Sequence, residues 1–343
     1  MPYLTMYERT KIETMLKDGK TPKEIAARLG RHYTTIYKEI AKGTVTLKNP
    51  DWTYRKEYCA DTAQCITDGR QKNKGRGLKI GHDYGLAARI EYLIGECRYS
   101  PYAVSVEIRK DSKFTTTLCK GTIYNYIDAG IFLNITNDDL YSKKHKRKKK
   151  GSQSPRPSYK NLRAKGIEER PEEAEDRSNA GHWEMDTVYS GKGTSTACIL
   201  ALTERSRRLE HLSYMPDRTL GSTVQALDRI EQAIGLEAFQ KRFRTITVDN
   251  GSEFSDSGLL ERSCTCPGSI RTQVYYCHPN ASYERGSNEN HNKLIRHWIP
   301  KGADISAYGE EKVKQIEQWI NDLPRELFGG MSANEHAACI TKG

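Results

Sequence analysis

The chain has 343 residues, of which 36% are hydrophobic, and this is enough for two or three folded domains. It has no apolar run near the roughly 20 residues of a membrane helix, no signal-peptide pattern and nine cysteines, so we expect a cytoplasmic protein with reduced thiols. Residues 1–156 contain 31 Lys and Arg against 17 Asp and Glu, whereas residues 157–343 contain 24 against 27. This split of the net charge of +11 predicts a front half that binds a polyanion.

Residues 1–45 have the pattern of three short helices, predicted over 5–17, 22–29 and 33–42. Two helices, a short turn and a basic helix are typical of a helix-turn-helix domain, whose last helix presents its N-terminal residues to the DNA major groove. The predicted DNA-binding residues lie at the start of the third helix and one turn on: Arg31, His32, Tyr33, Thr34, Thr35 and Lys38. An ordinary three-helix packing unit is the alternative.

Residues 46–82 are polar and rich in lysine, arginine and glycine, which indicates a basic linker. A second helical unit over 83–135 repeats the layout of the first, and a Thr-Ile-Tyr triplet recurs in its last helix. We therefore predict a second helix-turn-helix domain, with Lys120, Thr122 and Tyr124 as its DNA-binding residues.

Residues 136–175 are predicted to form a second basic linker. It contains the charge run Ser142–Gly151, followed by serines and prolines, which is typical of a domain boundary. Lys146 and Arg147 in this run are candidates for neutralising DNA phosphates, although a solvated flexible linker has the same composition.

Residues 176–340 alternate between strand and helix patterns. The predicted strands are 181–190, 195–202, 209–215, 245–248 and 273–277, and the predicted helices are 219–234 and 286–298. This pattern predicts an α/β domain with a mixed five-stranded sheet.

Three acidic residues of this domain are candidates for one catalytic site. Asp186 lies in an apolar strand, Asp249 ends another strand just before an Asn-Gly turn, and Glu289 lies where a helix begins. Hard divalent cations prefer oxygen ligands, and a two-metal site for phosphoryl displacement needs few acids held close on different elements. A surface aspartate that caps a turn is the ordinary alternative for Asp249.

The residues that follow Glu289 favour it over other acids as the third member of the site. Asn292, Lys293 and Arg296 share its helix face, and we predict that they bind a DNA end. The competing acids are Glu184, Glu253 and Glu284.

A cysteine-rich insertion permits a second metal hypothesis. Cys264, Cys266, Cys277 and His278 are the donors that a structural zinc site requires. The Cys-x-Cys spacing is tighter than usual, and the adjacent Cys277 and His278 would point to opposite faces of a strand. Three core thiols in an inserted loop are the alternative.

Four motifs of the rear half resemble, in order and spacing, the insertion-sequence-thirty family of bacterial DDE transposases: Gly181–Asp186, Val248–Phe254, Glu284–Asn290 and Pro300–Gly302. The front half matches the family as well, for example at Gly121-Thr122-Ile123-Tyr124. By position, Asp186, Asp249 and Glu289 match the family's catalytic acids. The interval between Asp249 and Glu289 is longer than we expect for the family.

The resemblance implies a multidomain protein with all-α tandem helix-turn-helix domains and a ribonuclease-H-like catalytic domain. It further implies that two Mg²⁺ or Mn²⁺ ions per active site support DNA strand cleavage and strand transfer. The expected partners are the terminal inverted repeats of an insertion sequence, target DNA and at least one further copy of the chain, at the bacterial nucleoid.

Two other functions are consistent with parts of the sequence. One is a sequence-specific DNA-binding regulator whose rear domain only dimerises. The other is a nuclease of the retroviral-integrase or ribonuclease type without element ends of its own. Intact acids argue against the regulator.

Overall fold

The computed structural model describes residues 3–72, 77–141, 165–177, 179–278 and 281–341, so Lys146 and Arg147 lie outside the described residues. The chain divides into two compact units, Met1–Gly81 and His82–Gly343. No helix within the described ranges combines the length and the apolar character needed to cross a membrane.

The first unit begins with the three predicted helices, which are confirmed as α1 (Met6–Lys17), α2 (Pro22–Leu29) and α3 (Tyr33–Gly43). Thr5 and Thr21 cap the first two through capping boxes, in which hydroxyl and glutamate satisfy backbone N–H groups reciprocally. One isoleucine from each helix is fully buried in the shared core: Ile12, Ile25 and Ile36.

The predicted linker over 46–82 is wrong for its first part, which continues the folded unit. A hairpin of β1 (Thr44–Lys48) and β2 (Tyr54–Tyr58) is followed by α4 (Ala60–Lys72). These elements have weak sequence patterns because the strands are mostly exposed and α4 brings only small residues, such as Ala63, to the core. The unit predicted as all-α therefore contains a small antiparallel sheet.

A buried arginine fastens α4 to the helix-turn-helix. Arg9 is almost fully buried, and its Nε lies 2.6 Å from Oε1 of Glu39 on α3. Its Nη2 donates to the Thr67 hydroxyl on α4 at 3.0 Å, and Nη1 donates to the backbone oxygen of Leu4. A charge that is buried with this many partners fixes the relative positions of the three helices.

The second unit begins with α5 (Tyr84–Gly95), α6 (Pro101–Lys110) and α7 (Lys120–Asp128), as predicted. These helices pack on the rear half: Ala103 of α6 belongs to the same buried cluster as Ile295 and Ile316. Trp319 also donates its indole N–H to the backbone oxygen of Cys97 at 2.8 Å. The predicted domain boundaries at residues 135 and 175 stay predictions.

The rear half is built on a five-stranded sheet, and its predicted mixed character is confirmed. Its elements in chain order are α8 (Glu173–Asp176), β3 (His182–Tyr189), β4 (Cys198–Glu204), β5 (Glu210–Met215), α9 (Leu220–Ile234), α10 (Leu236–Arg242), β6 (Thr245–Val248), α11 (Ser257–Glu261), β7 (Gln273–Tyr276), α12 (Gly286–Trp298), α13 (Gly309–Asp322) and α14 (Ala333–Thr341).

The strand order is β5-β4-β3-β6-β7, with antiparallel pairing from β5 to β3 and parallel pairing from β3 to β7. A mixed five-stranded sheet of this order agrees with the ribonuclease-H-like domain that the family resemblance implies. Trp183 and Met185 of β3 face the cluster of α9 and α10, whereas Val188 faces the cluster of α12 and α13. Because side chains alternate along a strand, Asp186 lies on the α12 side of the sheet.

Candidate active site

The two candidate aspartates lie side by side at the ends of neighbouring parallel strands. Glu184 of β3 is paired in register with Thr247 of β6. Asp186 and Asp249 each follow two residues later, so they are level with each other at the same edge of the sheet. Asp249 is the first residue after β6, where the strand ends and the Asn-Gly turn begins.

One arginine lies between the two carboxylates. Nη2 of Arg285 is 2.9 Å from Oδ2 of Asp249, and Nη1 is 3.4 Å from Oδ1 of Asp186. Nη1 also donates to the backbone oxygen of Met185 at 3.1 Å. Burial opposes the charge of Arg285, whose side chain is only 13% exposed, but Asp186 and Asp249 raise its pKa above the usual value.

The remaining oxygen of each aspartate is held by a neutral donor. Nδ2 of Asn292 donates to Oδ2 of Asp186 at 2.8 Å, and the Gly251 backbone N–H donates to Oδ1 of Asp249 at 2.9 Å. Each carboxylate therefore presents one fixed oxygen toward the same cationic group. Two oxygen donors that converge in this way have the arrangement that a hard divalent cation requires.

Glu289 lies on the correct face of α12, but its side chain points elsewhere. It comes four residues after Arg285 and three before Asn292, and both of these residues contact Asp186. A helix position between two such contacts lies over the same aspartate. The Glu289 carboxylate itself is 62% exposed and lies 3.2 Å from Nζ of Lys293.

The structure therefore assembles Asp186 and Asp249 but not all three acids. Among the described residues, the only group of three or more metal-donor atoms within 4.8 Å of one another comes from Asp228, Glu231 and Cys264. Glu289 does not meet the two aspartates in this conformation.

All three competing acids have structural partners. Glu184 is fully buried and accepts hydrogen bonds from Arg205 Nη1 at 3.1 Å and from the Asn288 backbone N–H at 2.9 Å. Glu284 lies 2.8 Å from Nδ1 of His278. Glu253 is buried as well and accepts from Arg218 Nε at 2.6 Å.

Arg285 was missed by sequence reasoning. It is part of the Glu284–Asn290 motif, and it precedes Glu289 by four residues, which places a cation on the face of the acid. That spacing is the signal that could have found it. Its contact with both aspartates depends on the register of β3 and β6, which the sequence does not supply.

The four predicted zinc ligands are not brought together. Cys264 Sγ lies 3.6 Å from the backbone oxygen of Asp228, whereas Cys277 follows β7 and is buried. Burial raises the pKa of the Cys277 thiol to about 12, which opposes the thiolate that zinc needs. His278 is exposed between Glu168 and Glu284. The structure gives the zinc hypothesis no support, because residues adjacent in sequence face different surroundings.

The group that contains Asp228, Glu231 and Cys264 is an ion-pair cluster that anchors the inserted loop. The buried guanidinium of Arg271 contacts Asp228 and Glu231. Burial alone would raise the pKa of Glu231, but hydrogen bonds from the Ser263 and Thr265 hydroxyls and from two backbone N–H groups lower it to about 2. Its oxygens are already satisfied, and Arg271 supplies the positive charge.

The predicted DNA-binding residues of the first unit differ in their exposure and in their contacts within the unit. Arg31 is held by Glu8 of α1, with Nε 3.0 Å from Oε1. Thr35 is partly buried. The others are exposed at the start of α3 or one turn on: His32, Tyr33, Thr34 and Lys38. His32 caps the helix, since its Nδ1 accepts from the Thr34 backbone N–H at 3.4 Å.

The predicted residues of the second unit face the rear half. Lys120 forms an ion pair with Glu326, and the Thr122 hydroxyl is 3.2 Å from Cys119 Sγ. Tyr124 lines a cavity of about 490 Å³ together with Lys293 of α12. Lys293 pairs with Glu289, and Arg296 donates to the backbone oxygen of Tyr189 at 2.9 Å.

Residues 2–43 match a family described as "Helix-turn-helix domain". Over 346 residues, the chain is 33% identical to the "Probable transposase for insertion-like sequence element IS1161" of Streptococcus salivarius, covering 97% of this chain and 93% of that protein. It is 26% identical to the "Transposase InsI for insertion sequence element IS30A" of Escherichia coli (strain K12), over 95% of this chain and 81% of that protein. Among solved structures, the catalytic core domain of BIV integrase aligns with a TM-score of 0.34 and 17% identity, covering 48% of this chain and 99% of that chain.

Proposed function

The chain belongs to the insertion-sequence-thirty family of bacterial transposases, and we propose that Asp186, Asp249 and Glu289 are the catalytic acids with which it cuts and joins DNA. The observation that carries the proposal is the convergence of Asp186 and Asp249, from the ends of two strands, on a single cationic group. Glu289 is assigned as the third acid from its position on α12, between two residues that contact Asp186.

The residues fit divalent cations. The donors are carboxylate oxygens on separate elements, and the Arg285 guanidinium is a cation already seated between them. Two Mg²⁺ or Mn²⁺ ions, when bound, would polarise the phosphate under attack and acidify the attacking water or hydroxyl.

The chain's own residues orient the acids. Asn292 and Gly251 each fix one oxygen of an aspartate, so the other oxygen keeps its direction when Arg285 moves away. Glu289 gives up its ion pair with Lys293, which contributes little because both groups are exposed. The ammonium of Lys293 and the guanidinium of Arg285 then become available for DNA phosphates beside the acids.

The proposed reaction has two steps in the same site. Water attacks the phosphodiester at an end of the element and leaves a 3′ hydroxyl. That hydroxyl then attacks a phosphodiester of target DNA and displaces a second 3′ oxygen. No covalent bond between protein and DNA forms, so the protein contributes positioning and charge stabilisation.

The helix-turn-helix of the first unit is proposed to bind the terminal inverted repeats of the element. The exposed residues at the start of α3 would read base edges in the major groove, and Lys38 would contact phosphate. Joining two ends requires at least two copies of the chain on the DNA.

Conservative substitution of the acids tests the proposal. Asp186→Asn, Asp249→Asn and Glu289→Gln each abolish cleavage of a supercoiled plasmid that carries the element's ends, with Mg²⁺ or Mn²⁺, and each leaves DNA binding intact. Glu311→Gln, at an exposed position of α13, is the matched control and retains activity. Full activity in one variant removes that residue from the site. Binding of the ends by the wild-type protein without any cleavage would instead favour the DNA-binding regulator.

A further inference from the structure

The β1–β2 hairpin lies directly after α3 and outside the matched helix-turn-helix residues 2–43. Its base is closed by a hydrogen bond from the Cys59 N–H to the Gly43 oxygen at 2.9 Å. We propose that the tip of this hairpin, around Trp52, is a second DNA-binding surface of the first unit, which holds the duplex backbone and groove edge beside α3. The inference rests on the DNA binding proposed above and adds a site to it.

The hairpin tip exposes large aromatic side chains. Trp52 is 76% exposed and Tyr54 is 70% exposed. The other three tryptophans, Trp183, Trp298 and Trp319, are buried or partly buried. Water contact with this much aromatic surface is unfavourable, and it is typical of surfaces that are covered by a partner.

The backbone at Trp52 is strained for a residue of its size. The tip is a turn, Asn49-Pro50-Asp51-Trp52, in which the Trp52 N–H donates to the Asn49 oxygen at 3.1 Å. Trp52 has a φ of 68°, in the left-handed region that favours glycine. Hairpins of this kind normally place glycine there. The hydrogen bond of the turn holds Trp52 in this strained conformation. A function of the indole in binding explains why tryptophan, and not glycine, occupies the position.

Cationic side chains lie on the same face as the aromatic ones. Nζ of Lys48 lies 3.3 Å from the centre of the Trp52 ring, and Lys48 is directly opposite Tyr54 in the hairpin register. Lys56 comes two residues after Tyr54, so it points to the same face. Ammonium groups that flank exposed rings can bind phosphates while the rings contact sugars and base edges.

The hairpin has two acidic residues, Asp51 at the tip and Glu57 on the other face. Asp51 accepts hydrogen bonds from the Thr53 N–H at 3.1 Å and from the Thr53 hydroxyl at 2.6 Å. Glu57 accepts from Arg55 Nε at 3.2 Å and lies 3.4 Å from Lys17 Nζ on α1.

At the tip and on the Tyr54 face, the two ammonium groups of Lys48 and Lys56 outnumber the single carboxylate of Asp51. This charge favours a nucleic acid over a protein as the partner, and the adjoining α3 favours duplex DNA.

Tryptophan fluorescence tests the proposal directly. The full chain is titrated with a duplex that carries one terminal inverted repeat of the element, and the emission is quenched with acrylamide, which reaches exposed indoles. We expect DNA to protect the quenchable fraction that Trp52 supplies. Binding with Trp52 still fully accessible overturns this inference alone, whereas a wild-type protein that binds no DNA overturns the proposed function. If Trp52 becomes protected from acrylamide without DNA as the protein concentration rises, the inference is overturned and the partner is a second copy of the chain.

A substitution separates binding from stability. Trp52→Gly removes the indole and relieves the left-handed strain, so we expect an unchanged or higher Tm together with roughly tenfold weaker DNA binding. Trp52→Asn, which also tolerates this backbone, gives the same result. Tyr84→Ala, at an exposed aromatic of the second unit, is the matched control and leaves affinity unchanged. A fall in Tm, or affinity equal to wild type, contradicts the proposal.

Discussion

Nη2 of Arg285 lies 2.9 Å from Oδ2 of Asp249, and the same guanidinium reaches Asp186. The candidate active site therefore contains its own cation. Two carboxylates that would repel each other are bridged by one guanidinium, from the residue immediately before α12. In the proposed site, divalent ions would have to compete with this side chain for the same oxygens, so we expect Arg285 to lower the affinity for metal.

Replacement of Arg285 is expected to strengthen metal binding in the absence of DNA. Arg285→Gln removes a competing unit charge about 3 Å from Asp249, and the affinity for Mn²⁺ rises by roughly tenfold. Isothermal titration calorimetry of the full chain measures it without reference to activity. The same variant has a lower Tm in chelator, since the two aspartates lose their counter-ion.

Arg296→Gln is the matched control for that experiment. Arg296 lies on the same helix face and donates to the Tyr189 backbone oxygen, but it has no contact with either aspartate in the structure. Its replacement leaves Mn²⁺ affinity unchanged. Equal affinity in Arg285→Gln and wild type would show that the guanidinium does not compete with the ions.

The neighbouring acids Glu184 and Asp186 are expected to behave differently. Glu184→Gln removes the buried counter-ion of Arg205, which keeps only the exposed Glu175 at 3.6 Å, and lowers the free energy of unfolding by about 3 kcal/mol or more. Asp186→Asn changes it by less than about 1 kcal/mol, because this carboxylate is partly exposed. Chemical denaturation of the two variants provides the comparison. A strongly destabilised Asp186→Asn protein would mean that its loss of cleavage reports unfolding.

The lowered pKa of Glu231 predicts that the rear half loses stability in acid. Its pKa falls from 4.5 to about 2 on folding, so its stabilising contribution is fully present above pH 4.5 and is lost as the pH falls toward 2. The difference corresponds to about 3 kcal/mol. Glu231→Gln therefore lowers stability at neutral pH and flattens the loss between pH 4.5 and pH 2, as followed by circular dichroism.

Glu237→Gln, at an exposed position on the adjoining α10, serves as the comparison and keeps the wild-type pH profile. A Glu231→Gln protein with an unaltered acid transition would mean that the hydrogen bonds around Glu231 do not persist in solution.

Replacement of Lys38 is expected to change the salt dependence of DNA binding. Each phosphate contact adds about 0.9 to the slope of log affinity against log salt concentration. Lys38→Gln should lower the slope by about that amount and weaken binding to all sequences alike. Fluorescence anisotropy over a salt series measures it. Lys314→Gln, on α13, should leave the slope unchanged, and an unchanged slope in Lys38→Gln would remove this residue from the DNA contacts.

The elements of the rear half could be predicted because local patterns determine them. An apolar run indicated β3, and a strand pattern that leads to Asp249 before an Asn-Gly turn indicated β6. The pairing of these strands follows from long-range packing, so the contact of Arg285 with both aspartates could not be read from the sequence. The orientation of Glu289 is a rotamer choice on an exposed helix surface, and sequence patterns do not specify it.

The β1–β2 hairpin and the zinc hypothesis show two other limits. A hairpin with both faces largely in water lacks the alternation that identifies a strand, so residues 46–58 resembled a linker. The zinc hypothesis groups Cys264 with Cys277 because the chain between them is short. The first follows α11 and contacts the backbone of α9, whereas the second is buried after β7.

The orientation of α7 has a consequence for how many sites in a genome one copy of this protein can distinguish. Lys120 and Tyr124 lie beside residues of the rear half, whereas four of the six predicted DNA-binding residues of the first unit are exposed: His32, Tyr33, Thr34 and Lys38. A single short helix distinguishes only a few base pairs, and such a stretch recurs by chance throughout a chromosome. We therefore expect selectivity for one element to arise when several copies bind together, each contributing its few base pairs.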